Sequence, residues 1–278
     1  MNLASGSVAP DAPQAAEKIF ADAGIDAHVY ASEGGDLESC LRKAVDAAPD
    51  LLAVIAGDGT ARAAAEMCGP DGPMLAPLPG GTMNMLPHAI YGVRPWHEAL
   101  TLALAEGEER MVGGGEVEGH RFLVSAILGS PALWAPAREA VRYGKRRQAI
   151  VRARQAFRRA FTGRLRYTFD GGQREKAEAL LFMCPVASRV LAEEEQVLEA
   201  AAIDVRGMSE LLRLGWNALV RDWRDDRAVE SERCKVARVW SANSIPAILD
   251  GESVRLKSLS EIRYDPAVVR MLCLPKDD

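Results

Sequence analysis

The chain has 278 residues, of which 48% are hydrophobic, and a formal net charge of −5, so it can bury one large core or two modest ones. No apolar run approaches the roughly 18 residues of a membrane span, and no basic segment followed by an apolar one suggests a secretory signal. The five cysteines lie far apart without metal-ligand spacing, which favours reduced thiols in a cytosolic protein over a zinc site.

The first half of the sequence alternates between helical and strand patterns. The predicted elements are, in chain order, a helix over residues 13–23, a strand over 25–31, a helix over 36–47, strands over 51–56 and 74–78, and a helix over 96–106. Alternation of this kind predicts a parallel sheet covered by helices. Ligands of such sheets bind beyond the carboxyl ends of the strands.

A glycine turn follows the strand at 51–56. Gly57, Asp58 and Gly59 precede an alanine-rich helix, for which Thr60 is a reasonable N-cap. The first-turn N–H groups and the helix dipole favour an anion, and the glycines let a phosphate approach the backbone. Since Asp58 would repel a phosphate unless a cation bridges them, the turn predicts a phosphate together with Mg²⁺, which Asp58 faces directly or through water.

A second glycine turn follows the strand at 74–78. It runs from Gly80 to Asn84, and Asn84 is a candidate cap for a helix starting near Met85. One such turn could be a plain tight turn, but two turns at neighbouring strand ends would face one ligand. The sequence contains no GxxxxGK[ST], HRD or DFG motif, which excludes the P-loop and protein-kinase classes.

Four motifs together resemble one family. AGDGT at 56–60 and PLPGGTMN at 77–84 are similar to the GGDGT and PLGTxN motifs of the diacylglycerol kinase catalytic domain family, which includes sphingosine and ceramide kinases. NLASG at 2–6 resembles its NPxSG motif, and LDGE at 249–252 resembles its DGE motif. In the family a buried strand precedes NPxSG, and no such strand precedes Asn2 in this sequence.

The resemblance implies an α/β plus β fold. An N-terminal parallel-sheet nucleotide-binding domain would span residues 1–108, and a C-terminal β-sandwich domain carrying the lipid site would span residues 109–278. The strands predicted in this second half are 111–117, 121–128, 164–169, 179–185, 197–205, 234–240 and 246–249. We expect a last strand at 268–273 to pack back near the first domain.

The resemblance also implies site residues, with ATP and Mg²⁺ as the nucleotide and its metal. The nucleotide would be held by Gly57, Asp58, Gly59, Thr60, Gly80, Gly81, Thr82 and Asn84. Glu252 would be the general base for the lipid hydroxyl, supported by Asp250, with Gly251 placing both carboxylates on one side. Read alone, Asp250 and Gly251 predict a hairpin turn. Bacterial members bind a structural Mg²⁺ at an NDG-like turn, and Glu199 stands in that place, although Ala200 replaces the glycine.

Residues 138–166 carry eleven basic side chains and one acidic side chain in an otherwise acidic protein. Ile150, Ala153, Phe157 and Phe161 form one helical stripe, flanked by arginines. A basic amphipathic helix fits an anionic membrane surface, and a solvated surface helix is the alternative. The arginines expected to contact the membrane are Arg146, Arg147, Arg154 and Arg158. Nucleic acid would also be attracted, but no aromatic-interleaved RNA motif supports it. No protein partner is indicated.

The sequence therefore predicts a cytoplasmic lipid kinase, peripheral at the inner membrane face. It would transfer the γ-phosphoryl group of ATP to a lipid hydroxyl, most readily that of diacylglycerol, giving phosphatidic acid. One alternative is an NAD kinase-like enzyme, since that family shares the GDGT turn. The other is a nucleotide-binding regulator of the same fold that has lost catalysis.

Overall fold

A computed structural model describes residues 1–3, 5, 8–32, 36–129, 164–188, 190–192, 195–203 and 229–275. The chain divides into two compact units. Unit 1 is Met1–Gly114 with Pro266–Asp278, and unit 2 is Gly115–Asp265. The division falls after Gly114, six residues beyond the predicted boundary, and the C-terminal segment belongs to the first unit.

Unit 1 alternates helices and strands. Its elements are α1 (Ala12–Asp22), α2 (Leu37–Asp46), β1 (Leu51–Ala56), α3 (Asp58–Cys68), β2 (Met74–Pro79), α4 (Met85–Tyr91), α5 (Trp96–Glu106) and most of β3 (Glu108–Val117). β1 and β2 pair in parallel, with Leu51 opposite Met74 and Ala56 opposite Pro79. Their largely apolar runs are buried because helices cover a parallel sheet on both faces.

Unit 2 is built from antiparallel strands. They are β4 (His120–Phe122), β5 (Ser125–Gly129), β6 (Leu165–Phe169), β7 (Glu175–Ala177), β8 (Ala179–Met183), β9 (Leu198–Ile203), β10 (Val229–Cys234), β11 (Val236–Trp240), β12 (Ile245–Leu249) and β13 (Glu252–Leu256). A further strand, β14 (Leu259–Cys273), begins in unit 2 and ends in unit 1. One sheet of unit 2 has the order β10-β9-β8-β5-β12-β13, and another contains β11 between β14 and β6. The two sheets share a core, so the predicted α/β plus β fold with a sandwich is confirmed.

The C-terminal strand is fixed within unit 1. Met271 of β14 pairs in parallel with Leu75 of β2. The buried hydroxyl of Tyr91 donates a hydrogen bond to the carbonyl oxygen of Leu272 at 2.6 Å. The last strand therefore extends the β1-β2 sheet by one strand.

Three local predictions were wrong. Residues 25–31 form no strand, and the nearest pairing is an isolated parallel bridge between Asn2 and Ser32. α3 starts at Asp58 with Gly57 as its N-cap, so Thr60 lies in the first turn and does not cap the helix. The strand predicted over 121–128 is two strands, because Asp250 accepts the backbone N–H groups between them.

Candidate active site

The two glycine loops lie against each other at the carboxyl ends of β1 and β2. The N–H of Gly80 donates to the carbonyl of Ala56 at 3.0 Å, which continues the β1-β2 pairing into the loops. A Cβ on Gly81 would lie 2.5 Å from the Cα of Gly57, and one on Gly80 would lie 2.6 Å from the backbone nitrogen of Ala56. Both positions require glycine because the neighbouring backbone occupies the space of a side chain.

The first loop is the start of a helix. Gly57 has an extended backbone, and Asp58, Gly59 and Thr60 form the first turn of the 11-residue α3. All four are partly exposed. The N–H of Thr60 donates to the Gly57 carbonyl, whereas the Gly59 N–H has no partner within the described part of the chain. This helix start therefore offers the Gly59 amide, the Thr60 hydroxyl and the positive end of a helix dipole to an anion.

The carboxylate of Asp58 is directed to the second loop. Its Oδ1 accepts a hydrogen bond from the N–H of Leu86 at 3.2 Å, and the backbone of Asn84 and Met85 contributes further hydrogen bonds. Burial raises the pKa of the Asp58 carboxyl above its ordinary value, against these hydrogen bonds, which lower it. Asp58 thus joins the first loop to the start of α4, a role that the sequence reasoning missed because 28 residues separate the partners.

The second loop is closed by Asn84. This residue has a left-handed backbone and makes no side-chain cap of α4. Its Oδ1 accepts from the N–H of Gly81 at 2.7 Å, and its Nδ2 donates to the Gly81 carbonyl at 3.1 Å. The amides of Gly80 and Gly81 already donate inside the protein, so a phosphate would have to be bound by other groups of this loop, and the predicted role of these two glycines in nucleotide binding stays a prediction. Both glycines serve the close contact between the loops, and Thr82 is the exposed hydroxyl of this loop.

The DGE motif lies on a two-residue hairpin in unit 2. Leu249 pairs with Glu252, and the intervening Asp250 and Gly251 both have positive φ, 46° and 87°. This is the turn that the Asp-Gly pair predicts by itself. Asp250 is 6% exposed, whereas Glu252 is exposed at the first position of β13. In this hairpin one carboxylate is buried and the other is exposed, whereas the sequence predicted that Gly251 would place both on one side.

Asp250 holds the hairpin in place. Its carboxylate accepts backbone hydrogen bonds from Leu123 at 2.6 Å, Val124 at 2.9 Å and Ser125 at 2.8 Å. A carboxylate that accepts three buried N–H groups stabilises the loop that supplies them. Asp250 consequently positions the turn that carries Glu252.

A second Asp-Gly turn in unit 2 has the same construction. Asp170 and Gly171 have φ values of 46° and 76°, and the Asp170 carboxylate accepts from the N–H groups of Lys235 and Val236. The chain continues there with Gly172, so no acidic residue follows. The carboxylate-to-backbone contact is therefore a property of this type of turn, and Glu252 is what distinguishes the DGE hairpin.

Two further groups of predicted residues lie elsewhere. Glu199, the residue predicted for a structural Mg²⁺, is buried inside β9 and accepts a hydrogen bond from the Ser188 hydroxyl at 2.6 Å. It is not in a turn, and the described residues contain no group of three His, Cys, Asp or Glu side chains that could hold a metal. The predicted membrane contacts Arg146, Arg147, Arg154 and Arg158 lie outside the described residues. No helix in the described ranges is long and apolar enough to span a bilayer.

The chain is thus a two-unit protein whose first unit is an α/β domain with two glycine loops in contact at one end of its parallel strands. Residues 1–117 match the sequence model of the diacylglycerol kinase catalytic domain. The predicted resemblance is thereby confirmed. No curated protein matches the chain by sequence.

Solved structures share the fold over nearly the whole chain. A diacylglycerol kinase from Bacillus anthracis is 17% identical with a TM-score of 0.70, covering 97% of this chain and 94% of its own. A candidate diacylglycerol kinase from the same organism is 21% identical with a TM-score of 0.74, covering 99% and 93%. An NAD kinase from Archaeoglobus fulgidus in complex with ATP is 11% identical with a TM-score of 0.53, covering 97% and 90%. At these identities the likeness concerns the fold.

Proposed function

We propose that the chain is a lipid kinase that transfers the γ-phosphoryl group of ATP to a lipid hydroxyl, with diacylglycerol as the acceptor and phosphatidic acid as the product. The observation that carries the proposal is the contact between Gly57 and Gly81 in a domain that matches the sequence model of the diacylglycerol kinase catalytic domain. It brings two motif loops to one end of the β1-β2 sheet. Phosphoryl transfer depends mainly on positioning and charge neutralisation, which such loops can supply.

The first loop would bind the triphosphate. The Gly59 amide and the Thr60 hydroxyl point from the start of α3, where the helix dipole favours negative charge. Thr82 would add a second hydroxyl from the exposed tip of the other loop. Asp58 would hold these two loops together, because its carboxylate accepts the N–H of Leu86.

The residues present fit a Mg²⁺ ion that arrives with the nucleotide. Mg²⁺ is usually held by one or two carboxylates together with substrate phosphates, and it neutralises the charge of the transferring group. Asp58 is the carboxylate of the first loop, and it is partly exposed. The described residues hold no metal cage made of protein groups alone, so Asp58 would take up the metal only together with ATP.

Glu252 would act as the general base. Its carboxylate accepts the proton of the lipid hydroxyl, the hydroxyl oxygen forms a bond to the γ-phosphorus, and the bond from that phosphorus to the β-phosphate oxygen breaks, releasing ADP. The exposure of Glu252 leaves it accessible to a substrate, and Asp250 fixes the hairpin that carries it. In this proposal Asp250 is a positioning residue.

The acceptor would be reached at an anionic membrane surface on the cytoplasmic side. The eleven basic residues of 138–166 support this part of the proposal, at about 1 kcal/mol per basic residue near such a surface. Replacing Arg146, Arg147, Arg154 and Arg158 by glutamine should reduce sedimentation with phosphatidylserine vesicles but not the turnover of a short-chain lipid in detergent. Unchanged sedimentation would contradict membrane docking by these residues.

A transfer assay on several acceptors tests the proposal. The chain is incubated with γ-³²P-ATP and Mg²⁺ and with diacylglycerol, sphingosine, ceramide or NAD, and the products are separated by chromatography. Labelled phosphatidic acid is the expected result. Labelled NADP would favour the NAD kinase alternative, for which the TM-score of 0.53 to the Archaeoglobus fulgidus enzyme is the supporting observation. ATP binding without any labelled product would identify a regulator that has lost catalysis.

A further inference from the structure

One sheet of unit 2 has a basic outer face. In this sheet β6, β11 and β14 are neighbours, and β7 lies beside β6. Leu165, Ala237 and Ile262 point into the core of the unit, so the residues that alternate with them in each strand point outward. We call this outward surface the basic sheet face. Its exposed basic side chains are Arg164, Arg166, Arg174, Lys176, Arg238 and Arg263.

The acidic side chains on this face are already paired. Within the described residues two acidic side chains point outward from these strands, and both belong to β14. Glu261 forms ion pairs with Arg238 at 2.6 Å and with Arg263, and Asp265 forms one with Arg121 at 3.4 Å. The face therefore carries a net positive charge, although the whole chain has a formal net charge of −5.

Two basic residues lie directly opposite each other on this face. Lys176 of β7 pairs in register with Arg166 of β6, and both side chains are exposed. The Cβ atoms of such a cross-strand pair lie about 4.5–5.5 Å apart, and like charges in this position destabilise a sheet. An anion bound beside them would remove the repulsion. The pair is thus better explained by binding than by the stability of the fold.

Apolar side chains continue the same row across the sheet. Arg166 pairs in register with Trp240 of β11, and Trp240 pairs with Leu259 of β14. Leu259 is 54% exposed, and Trp240 is partly exposed. The guanidinium group of Arg174 lies 4.7 Å from the centre of the Trp240 ring, which is a cation–π contact. The row therefore combines positive charge with exposed apolar surface.

This combination fits the surface of an anionic bilayer. Basic side chains are attracted to anionic headgroups, and tryptophan is enriched at the level of the headgroups. A surface for single-stranded nucleic acid would present several aromatic rings on which successive bases stack. Trp240 is the aromatic residue that points outward from β6, β7 and β11, whereas Tyr167 and Phe169 lie against the core. The observations thus favour a membrane over nucleic acid.

We propose that the basic sheet face docks unit 2 on an anionic membrane, with its arginines and Lys176 on the headgroups and with Trp240 and Leu259 at headgroup level. The inference rests on the proposed function, since a lipid kinase meets its acceptor at such a surface. Arg164 and Arg166 are also the last basic residues of segment 138–166. The face consequently extends the positive charge of that segment onto a rigid sheet.

The test measures the binding of the full chain to vesicles of phosphatidylcholine with and without phosphatidylserine. In the face variant, Arg166→Gln, Lys176→Gln and Arg263→Gln are combined. The control variant combines Lys18→Gln, Arg42→Gln and Lys43→Gln, which remove the same charge from exposed positions of α1 and α2. Binding to phosphatidylserine vesicles should be about 100-fold weaker in the face variant, as expected for three basic residues at the surface. The control variant should bind like the natural chain, and both should keep its thermal midpoint.

A fluorescence measurement reports the depth of Trp240. The emission of Trp240→Phe is subtracted from that of the natural chain, which isolates the contribution of this ring. Vesicles that contain phosphatidylserine and brominated phosphatidylcholine should quench this difference, whereas vesicles without phosphatidylserine should leave it unchanged. An unquenched difference with vesicle-bound protein would contradict the placement of Trp240 at headgroup level.

Three binding results would overturn the proposal. Equal losses in the face and control variants would mean that net charge, and not this face, sets binding. Undiminished binding of the face variant would place the contact elsewhere. Tighter binding to a single-stranded oligonucleotide than to the vesicles, lost in the face variant, would assign the face to nucleic acid.

A turnover measurement separates this inference from the proposed function. The face variant should phosphorylate a short-chain diacylglycerol in detergent at the rate of the natural chain, because no membrane is involved. Normal turnover together with undiminished vesicle binding would reject the docking face alone. Docking that depends on the face, in a chain that phosphorylates no lipid, would reject the kinase proposal alone.

Discussion

Replacing Gly81 with alanine tests the contact between the two glycine loops. The added Cβ would lie 2.5 Å from the Cα of Gly57, whereas carbon atoms in contact lie about 3.5–4.0 Å apart. The loops would have to separate by roughly 1 Å, and overpacking of this kind costs about 1–3 kcal/mol. For a protein of this size the thermal midpoint should fall by about 2–12 °C.

Gly57→Ala is the matched control, because it adds a methyl group to the other side of the same contact. Its Cβ would lie 3.6 Å from the Cα of Gly81, an ordinary separation, and the φ of Gly57 is −80°. Its cost should stay below about 1 kcal/mol, from the weaker N-cap preference of alanine. Thermal unfolding followed by circular dichroism measures both variants. If Gly81→Ala is no less stable than Gly57→Ala, the loops do not touch as described.

Three further substitutions separate chemistry from support. Glu252→Gln should lower turnover by about 10²- to 10⁴-fold with ATP affinity unchanged. The control Glu232→Gln, at an exposed position of β10, should leave turnover unchanged. Normal turnover in Glu252→Gln would show that this residue is not the general base. Asp250→Asn turns an NH₂ group toward backbone donors and should lower the free energy of unfolding by about 1–3 kcal/mol, so an unaltered urea midpoint would contradict its positioning role. Asp58→Asn should weaken the use of Mg²⁺-ATP, and normal ATP kinetics would count against the first loop as the phosphate site. The folded-state pKa of Asp58 is raised above 3.8, so the stability that its proton confers is full below that pH and is lost as pH rises through the folded pKa. The natural chain should therefore gain stability relative to Asp58→Asn as pH falls from 7 to below about 3.8; a stability difference between the two proteins that does not change with pH would refute this.

The glycine loops could be predicted because their signals are local. A short apolar run, a glycine turn and a helix-forming segment lie next to one another in the sequence, and parallel pairing of β1 and β2 then brings the two turns together. The Asp250-Gly251 hairpin is local in the same sense. These elements could be predicted without knowing which distant residues contact them.

The contacts of the acidic side chains could not be predicted, because they join segments far apart in the chain. Asp58 reaches Leu86, and Asp250 reaches residues 123–125, which divides a predicted single strand into β4 and β5. The prediction of a strand over residues 25–31 was wrong for a related reason. Their pattern is that of a strand, but a strand forms only where its backbone groups find partners, and Met1 to Leu3 supply partners at one end only.

The molar ratio of labelled phosphatidic acid formed to ADP released tests the central claim most directly. The chain is given γ-³²P-ATP, Mg²⁺ and diacylglycerol in phosphatidylserine vesicles, and ADP and labelled phosphatidic acid are measured together over time. We expect one phosphatidic acid for each ADP, with no ADP formed when the vesicles contain no diacylglycerol. ADP that accumulates without labelled lipid, or no ADP at all, would contradict phosphoryl transfer to this acceptor.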